Sequence, residues 1–508
     1  MKNRLYKRSR GPSVLQRTSH WLDDKIFVEK LNNPLGYGLL ILASVAFTFV
    51  IAQLRPTYGS VFLLLMIGGA AAIVCLLNAT FGLFLTIFLS FFIFQIKRYF
   101  GDELPIGAVV EVLLLVTFVG IFTKKANQNA PGWRYANNPI TYIYLIYVAY
   151  VFIQAFNPEM DSMLGWLFIV RKLAGFMMAY FIVLYAFNRK FLRNFIKFWL
   201  GMSLLAALYG CYQEWFGFFP FEADWVTQDE TRYGLYFIDG HFRKFSILSD
   251  PTAFGILMAT TGLLGLTLAM GSFRPWKRVA LVLASVLMFV AMAYSGARTA
   301  YAMIPAGLVI FVLMTITHRS TLILTTLAVV VFAVLIFGPI YGNTTINRIR
   351  STFELSEDAS LNVRDVNRAR IQPYLYDHPI GGGLSTSGIA GMKYNPNHIL
   401  AGFPPDSGYL RVALETGWIG LTITCILYFI VLYVGVKGYY RERDPRARTY
   451  YVSIVTIIYA LIIAQYAQVA ISQLPGALLF YPSLAILGCL YRDGQKHAMH
   501  ATNEEVKQ

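Results

Sequence analysis

The chain alternates long runs of apolar residues with short polar segments. A helix of about 20 apolar residues can cross a bilayer, and several of the runs here are a little shorter. Fourteen spans are predicted, at residues 35–53, 61–77, 81–96, 105–123, 140–156, 166–187, 195–216, 252–270, 279–294, 300–317, 322–341, 409–436, 450–472 and 477–491. The pattern therefore predicts an all-α polytopic membrane protein with about 14 transmembrane helices.

Composition indicates the same class. Hydrophobic residues make up 56% and charged residues 14% of the 508 positions, whereas a soluble domain carries about 25% charged residues. The formal net charge is +16. Because the cytoplasmic loops of membrane proteins collect Lys and Arg, this charge is assigned to the topology, and no nucleic-acid partner is predicted.

A cytoplasmic N-terminus gives a topology that follows the positive-inside rule. Residues 1–34 are then a basic cytoplasmic segment, either an interfacial helix or a partly disordered tail, and residues 492–508 are a cytoplasmic tail. The transmembrane domain covers residues 35–491, with two large periplasmic loops at about 217–250 and 342–406. One pair departs from the rule, because Lys97 and Arg98 would lie outside.

Nothing in the sequence indicates a metal, a disulfide framework or a nucleotide. The four cysteines have no CxxC spacing, and the histidines lack HxxxH or carboxylate spacings. There is no Walker loop, dinucleotide motif or GxSxG. The sequence therefore predicts no metal site and no cofactor.

The second predicted outer loop is rich in arginine, against the usual tendency of translocated loops. Arg364 and Arg368 are four residues apart, so a helix would place both on one side, and this helix is predicted to end or kink near Pro373. Guanidinium groups suit a phosphate or diphosphate. The alternative is that Arg364 pairs with Asp365 or a nearby Glu on a solvated surface. The other arginines of this loop are Arg348, Arg350 and Arg370.

Further features lie near the ends of the spans. Gly381–Gly382–Gly383 is predicted to form a loop with exposed backbone N–H groups. Arg298 lies where two spans meet at the outer boundary, where it either serves a site or snorkels to lipid headgroups. Arg171 and Lys172 are predicted to snorkel, and Glu111 is a candidate buried ion-pair partner.

Four motifs together resemble the O-antigen polymerase and ligase family of bacterial inner-membrane glycosyltransferases. They are RKFSILSDP at 243–251, the turn at 295–299, the segment from Arg364 to DHPIGGG, and DSGYLRVALETGWIGL at 406–421. The resemblance implies a GT-C-like fold with a large periplasmic loop containing helices between the eleventh and twelfth spans. It also implies a multi-pass protein of the bacterial inner membrane, with both termini cytoplasmic and an active site that faces the periplasm.

The resemblance also implies substrates and site residues. The donor would be an oligosaccharide on undecaprenyl diphosphate and the acceptor a glycan hydroxyl, with the bilayer and a chain-length regulator as further partners. Arg243, Arg298, Arg364 and Arg368 would bind the diphosphate, and Arg298 and Arg364 would act in catalysis. Negative charge grows on the phosphate as the C1–O bond breaks, so fixed arginines would stabilise the transition state without a metal ion.

The chain departs from the family at Asp406–Ser407, where ligases carry His-Asn. Asp406 is a candidate general base whose pKa burial would have to raise, and the alternative is a helix N-cap before Tyr409. Candidate supporting residues are Arg411, Glu415 and His378.

Some residues of the motif at 406–421 also have a structural interpretation. Glu415 would simply pair with Arg411, four residues earlier. Gly417 and Gly420 are predicted to permit close helix packing.

These features favour a metal-independent glycosyltransferase that polymerises repeat units of an O-antigen, capsule or exopolysaccharide. Ligation onto the lipid A core is the alternative, which the aspartate disfavours. A lipid-linked oligosaccharide flippase or transporter, and a structural partner in envelope assembly, are alternatives of other classes. Transporters usually carry internal repeats and charges near the middle of their spans, whereas the polar groups here concentrate in one outer loop.

Overall fold

The computed structural model describes residues 34–53, 56–101, 106–125, 135–238, 240–339, 344–353 and 359–505, together with Trp21 and Gly342. Within these ranges the chain is mostly helical, with one two-stranded antiparallel sheet. The chain divides at Cys75 into two compact units. The first unit contains helix α1 (Pro34–Gln53) and most of α2 (Pro56–Leu77).

The second unit, from Cys75 onward, begins with helices and one small sheet. Its first elements are α3 (Ala79–Phe100), α4 (Ile106–Lys125), α5 (Pro139–Ile153), α6 (Met163–Ala186), α7 (Arg189–Phe216), α8 (Pro220–Thr227), α9 (Glu230–Tyr236), β1 (Phe237–Ile238), β2 (His241–Phe242) and α10 (Pro251–Ala269). In the sheet, Phe237 is paired with Phe242 and Ile238 with His241.

The remaining regular elements among the described residues of this unit are helices. The remaining elements are α11 (Pro275–Ser295), α12 (Arg298–Thr315), α13 (Arg319–Phe337), α14 (Thr344–Ser351), α15 (Ala359–Asp377), α16 (Gly388–Tyr394), α17 (Gly408–Arg441), α18 (Pro445–Ala464) and α19 (Ala477–Glu505). Helices α14, α15 and α16 lie in the predicted outer loop 342–406.

The predicted all-α polytopic membrane fold is confirmed. Each of the fourteen predicted spans overlaps one of the helices, and ten helices in the described ranges are long and apolar enough to cross a membrane. The thirteenth span was predicted to reach residue 472, but its helix ends at Ala464. The number of helices that cross, and the sides on which loops and termini lie, stay predictions. The helix predicted within residues 1–34 lies outside the described residues except for Trp21.

Helix α10 lies in the core of the second unit. Nearly all of its residues are buried, and it packs against α11, α12 and α18. A helix that is apolar on all sides can be buried on all sides, provided that its hydroxyl groups are satisfied. Thr260 Oγ1 donates to the carbonyl of Ile256 at 2.7 Å, and Thr267 Oγ1 to that of Leu263 at 2.8 Å. This fixed helix begins directly after the segment that carries Arg243.

Helix α15 is predicted to end or kink near Pro373, and of these alternatives the end is wrong. The helix does not end at Pro373 but continues to Asp377. Proline removes one helical hydrogen bond, and bonds around the last turn compensate for it. The backbone N–H of His378 donates to the carbonyl of Tyr374 at 3.1 Å. From outside the helix, Trp418 Nε1 donates to the carbonyl of Leu375 at 2.8 Å.

Candidate functional site

Arginines surround the turn between α11 and α12. Gly296, between Ser295 and Arg298, has φ +59°, a left-handed conformation that favours glycine. Arg243 Nε donates to the carbonyl of Ser295 at 2.9 Å, and Arg348 Nε donates to that of Gly296 at 2.8 Å. We call Arg243, Arg298 and Arg348 the arginine cluster. It joins residues from three distant parts of the chain.

Arg243 is held on several sides. Its Nη1 donates to the carbonyl of Leu235 at 3.3 Å, and its Nη2 donates to Thr252 Oγ1 at 3.4 Å. Burial, followed by the positive charge of Arg348, lowers the pKa of Arg243 to about 10, so the side chain stays protonated at neutral pH. Two like charges therefore lie together in a partly buried place, and a bound anion would relieve their repulsion.

The loop between α7 and α10 positions Arg243 through a small aromatic core. Arg98, at the end of α3, lies against this core, with its guanidinium carbon 4.2 Å from the ring centroid of Phe245. Its Nη1 donates to the carbonyl of Ser246 at 3.2 Å, and its Nη2 to that of Ser249 at 3.1 Å. Arg98, which departs from the predicted charge pattern, thus fixes the segment that starts at Arg243. The aromatic core consists of Val226, Tyr236 and Phe245, packed against Phe218, Trp225 and Phe242.

Acidic side chains near Arg243 are engaged elsewhere. Asp250 is the N-cap of α10, because its Oδ1 accepts from the N–H groups of Thr252 and Ala253, both at 2.9 Å. Glu214 pairs with Lys244 at 3.4 Å. Among the described residues, neither carboxylate forms an ion pair with Arg243.

Helix α17 is interrupted by Gly417. This residue has φ +67° and ψ −170°, a conformation open essentially only to glycine. Its role therefore differs from the predicted helix packing, since it breaks the helix and lets the backbone of residues 379–381 approach closely. Gly420 does serve packing, because a β-carbon there would lie 3.0 Å from the ring of Tyr150 in α5.

The glycine turn, residues 379–383, docks onto this break. The N–H of Gly382 donates to the carbonyl of Leu414 at 2.9 Å, and that of Gly383 to the carbonyl of Glu415 at 3.0 Å. The N–H of Gly381 is also bonded, to a carbonyl in the preceding residues. The prediction of exposed N–H groups is wrong, because the break in α17 frees carbonyl groups that accept them.

Glu415 is buried and holds two parts of the chain together. Its Oε1 accepts from Arg411 Nε at 3.2 Å and from Ser387 Oγ at 2.5 Å. The predicted pairing of Glu415 with Arg411 is confirmed. The carboxylate thus ties α17 to the segment that follows the glycine turn.

Asp406 lies two residues before the start of α17 and does not cap it. The N-cap is Ser407, whose Oγ accepts from the N–H of Leu410 at 3.4 Å and donates to the carbonyl of Gln465 at 3.0 Å. The N-cap reading of Asp406 is therefore wrong. Asp406 is half-buried, and its carboxylate forms no hydrogen bond or ion pair with any other residue that the structure describes. Its role as a base stays a prediction.

Helix α15 is the predicted arginine helix, and one of its arginines contacts the segment directly after α18. Arg368 Nη1 donates to Tyr466 Oη at 2.9 Å, and the guanidinium carbon lies 4.6 Å from the ring centroid of Tyr466. Arg364 belongs to the same helix, and its side chain lies outside the described residues. His378 stacks on Tyr374, with ring centroids 3.9 Å apart, and its Nδ1 lies 2.9 Å from the Tyr374 carbonyl.

An ion pair links α4 and α6. Arg171 Nε lies 2.8 Å from Glu111 Oε2, so the predicted pairing of Glu111 is confirmed. The snorkelling of Arg171, whose side chain is half-exposed, stays a prediction. Lys172 Nζ lies 4.3 Å from the ring centroid of Phe168.

The candidate residues form two groups that both border α18. Helix α12, which begins with Arg298, packs against α18. Ser407 and Gly408 both bond to the carbonyl of Gln465, directly after α18, and Arg368 contacts Tyr466. Among the described residues, no group of three or more His, Cys, Asp or Glu is arranged to hold a metal ion.

Arg348 is a site residue that the sequence did not single out. Arg350 lies two positions later in α14, and its Nε donates to the carbonyl of Leu335 at 2.9 Å while its Nη2 donates to that of Gly338. Arg350 therefore caps the end of α13. Both are arginines of one polar segment, and no spacing distinguishes the cap from the cluster member.

One family comparison bears on this site. Residues 283–425 match the model of a family described as O-antigen ligase. This range includes Arg298, Arg348, Arg368 and Asp406, and it begins after Arg243. The match confirms the resemblance to the O-antigen polymerase and ligase family. A search of curated proteins found no match.

Proposed function

Because this chain is a polytopic membrane protein with a domain of the O-antigen polymerase and ligase family, we propose that it transfers a glycan from undecaprenyl diphosphate to an acceptor sugar hydroxyl. The reaction takes place on the periplasmic side of the bacterial inner membrane, with both termini in the cytoplasm. The preferred acceptor is a second lipid-linked repeat unit, so the product is a polysaccharide chain.

The arginine cluster carries the proposal. Arg243 and Arg348 converge on one turn, and Arg298 is the first residue of the helix that follows it. A diphosphate has many oxygen atoms, and guanidinium groups present several fixed N–H donors to them. Because Arg243 and Arg348 lie close enough to repel each other, an anion bound between them gains more binding energy than at an ordinary surface arginine.

The cluster favours the transition state over the bound substrate. As the bond from sugar C1 to the diphosphate oxygen breaks, its electron pair moves to the diphosphate, and negative charge grows there. Arginines that protein carbonyls already hold in place need little reorganisation to stabilise that charge. The acceptor oxygen forms the new bond to C1, and undecaprenyl diphosphate leaves. Arg364 and Arg368 are proposed to contact the same diphosphate from α15.

Asp406 is proposed to accept the proton of the acceptor hydroxyl. Its carboxylate has no bonding partner among the described residues, so a hydroxyl could approach it without displacing an internal bond. Arg411 and Glu415 are proposed to support this end of α17 rather than to react, because they bond to each other and to Ser387. His378, stacked on Tyr374, is proposed to support the preceding turn.

Ligation is the second candidate, and the description of the matching family favours it. Asp406 and Ser407, in place of the ligase His-Asn, favour polymerisation. The purified protein is incubated in proteoliposomes with lipid-linked repeat units, either alone or with a lipid A core acceptor. A ladder of products from the donor alone supports polymerisation, and products that form only with the core support ligation.

Failure of both reactions would count against a transferase. Movement of intact donor across the bilayer without any transfer would indicate the flippase instead. Heat-treated protein serves as the control for spontaneous transfer. Lys393→Ala, which removes an exposed lysine of α16, controls for the loss of a positive charge that lies outside the cluster.

A further inference from the structure

A second cationic site lies at the opposite ends of the helices. A cavity of about 810 Å³ is lined by the beginnings of α7, α11 and α18 and by the segment after α17. Its volume falls within the usual range of small-ligand pockets, roughly 300–1,000 Å³. Its walls belong to connections that are predicted to face the cytoplasm, so it is separate from the arginine cluster.

The cavity has a large excess of positive charge. Its acidic residues are Glu442 and Asp444, and its six basic residues are Arg189, Arg193, Arg274, Lys277, Arg443 and Arg446, so the net charge of the lining is +4 (six minus two). None of the six side chains forms a hydrogen bond or ion pair with another residue in the described ranges.

The two acids offset only part of this charge, and each also accepts from backbone N–H groups. Glu442 Oε1 accepts from the N–H groups of Arg443 at 3.0 Å and Asp444 at 3.1 Å. Asp444 Oδ1 accepts from the N–H of Arg446 at 3.1 Å, as the N-cap of α18. With both acids counted, the lining still has a net charge of +4.

The backbone adds to the same field. Three helices, α7, α11 and α18, begin at this cavity, and a helix N-terminus carries partial positive charge. Helix α11 has no side-chain cap at its first residue. The hydroxyls of Ser272 and Tyr450 supply neutral hydrogen-bond donors in the lining. Cations, helix N-termini and hydroxyls together form the environment that phosphate oxygens prefer.

We infer that this cavity binds the phosphate of an anionic headgroup. The headgroups of the inner leaflet lie at the level of these helix ends, and basic pockets between spanning helices on the cytoplasmic side suit such lipids. A lipid with two phosphates would contact more of the six cations than a lipid with one. Bound there, it would link the ends of α7, α11 and α18.

The test uses purified full-length protein without added lipid. Thermal stability and bound mass are followed while diphosphatidylglycerol, phosphatidylglycerol, phosphatidylcholine or inorganic pyrophosphate is added. The cavity variant is Arg193→Gln with Arg446→Gln, both exposed side chains. The matched control is Lys190→Gln with Arg319→Gln, two exposed cations that do not line the cavity.

The expected result is saturable stabilisation by the lipid with two phosphates and none by phosphatidylcholine. Each removed cation should weaken binding about fivefold, so the cavity variant should bind about 25-fold more weakly, while the control keeps wild-type affinity. Saturable binding of pyrophosphate alone, with the same loss in the cavity variant, supports the phosphate site with a soluble ligand.

Equal losses in the cavity variant and in the control would overturn the inference, because the whole basic surface would then be responsible. So would undiminished binding in the cavity variant. Arg193→Lys with Arg446→Lys retains the charges and should keep most of the affinity. If the glutamine variant fails to fold, the single variant Arg193→Gln, expected to bind about fivefold more weakly, decides the question.

Discussion

The arginine cluster and the glycine turn are built from similar polar motifs but use charge in opposite ways. In the cluster, Arg243 and Arg348 share a place without an acid paired to Arg243. At the glycine turn, Glu415 neutralises Arg411 and also binds Ser387. Like charges that repel each other indicate a place for an anionic ligand, whereas an ion pair indicates an element that holds the fold. Arginines of the motifs that resemble one family can therefore have quite different roles.

The largest expected effect is that of Arg348→Ala. Removal of a fixed donor to developing charge should lower the rate of glycan transfer by about 100- to 1,000-fold, with little change in thermal stability. Initial rates in proteoliposomes, normalised to folded protein, measure the effect. Arg350→Ala is the matched control, since it removes an arginine two positions away that caps α13.

The two variants should change different properties. Arg350→Ala should lower the unfolding temperature and keep the rate per folded molecule. An Arg348→Ala enzyme with the wild-type rate would exclude Arg348 from the site. A loss of stability in place of rate would show that the cluster is structural, like the glycine turn.

Glu415→Ala should act on stability. The variant leaves Arg411 without its partner and Ser387 without its acceptor, and removal of one member of a buried pair costs about 3 kcal/mol. Unfolding of the purified protein measures the cost. Glu415→Gln retains an acceptor for Ser387 and should lose less. A stable Glu415→Ala protein with abolished transfer would contradict the structural role.

Variants of Asp406 test whether the site extends to the start of α17. Asp406→Asn keeps the shape and removes the base, so transfer should fall about 100-fold, with Asp406→Ala no worse than severalfold beyond that. Ser407 still caps α17 in both variants, so the unfolding temperature should stay near that of wild type. Full activity of Asp406→Asn would remove the general base from the mechanism.

Gly417→Ala tests the break in α17, and its effect is expected on stability. A side chain at φ +67° and ψ −170° is strained by about 2 kcal/mol, and the close backbone of residues 379–381 adds a steric clash. Gly234→Ala provides a control at an exposed glycine with open space around its Cα. If both variants unfold at the same temperature, the break in α17 does not anchor the glycine turn.

The sequence was sufficient to predict the long apolar helices, because an apolar run long enough to span a bilayer has few other solutions. It also predicted the pairing of Glu415 with Arg411, which depends only on helical spacing. Of the end or kink predicted near Pro373, the end was wrong, since Trp418, far away in sequence, bonds the last turn of α15 beyond that residue. The exposed N–H groups were mispredicted for a similar reason, since their acceptors lie in α17.

The site was predictable only in part. The resemblance indicated Arg243 and Arg298, but Arg348 and Arg350 have the same side chain in one short helix. Their roles differ because one reaches the carbonyl of Gly296 and the other that of Leu335. Such a difference arises from tertiary packing and leaves no local pattern in the sequence.

Arg98 has a consequence for the order in which the protein is made. Its Nη1 bonds to Ser246, which is 148 residues farther along the chain. At about 5–20 residues per second, the ribosome needs roughly 7–30 s to synthesise that distance. During this interval the end of α3 carries a cation whose final acceptors do not yet exist, so water or lipid headgroups must stabilise it. The loop that carries Arg243 is therefore synthesised after α3, and its placement depends on a helix that was inserted many seconds before.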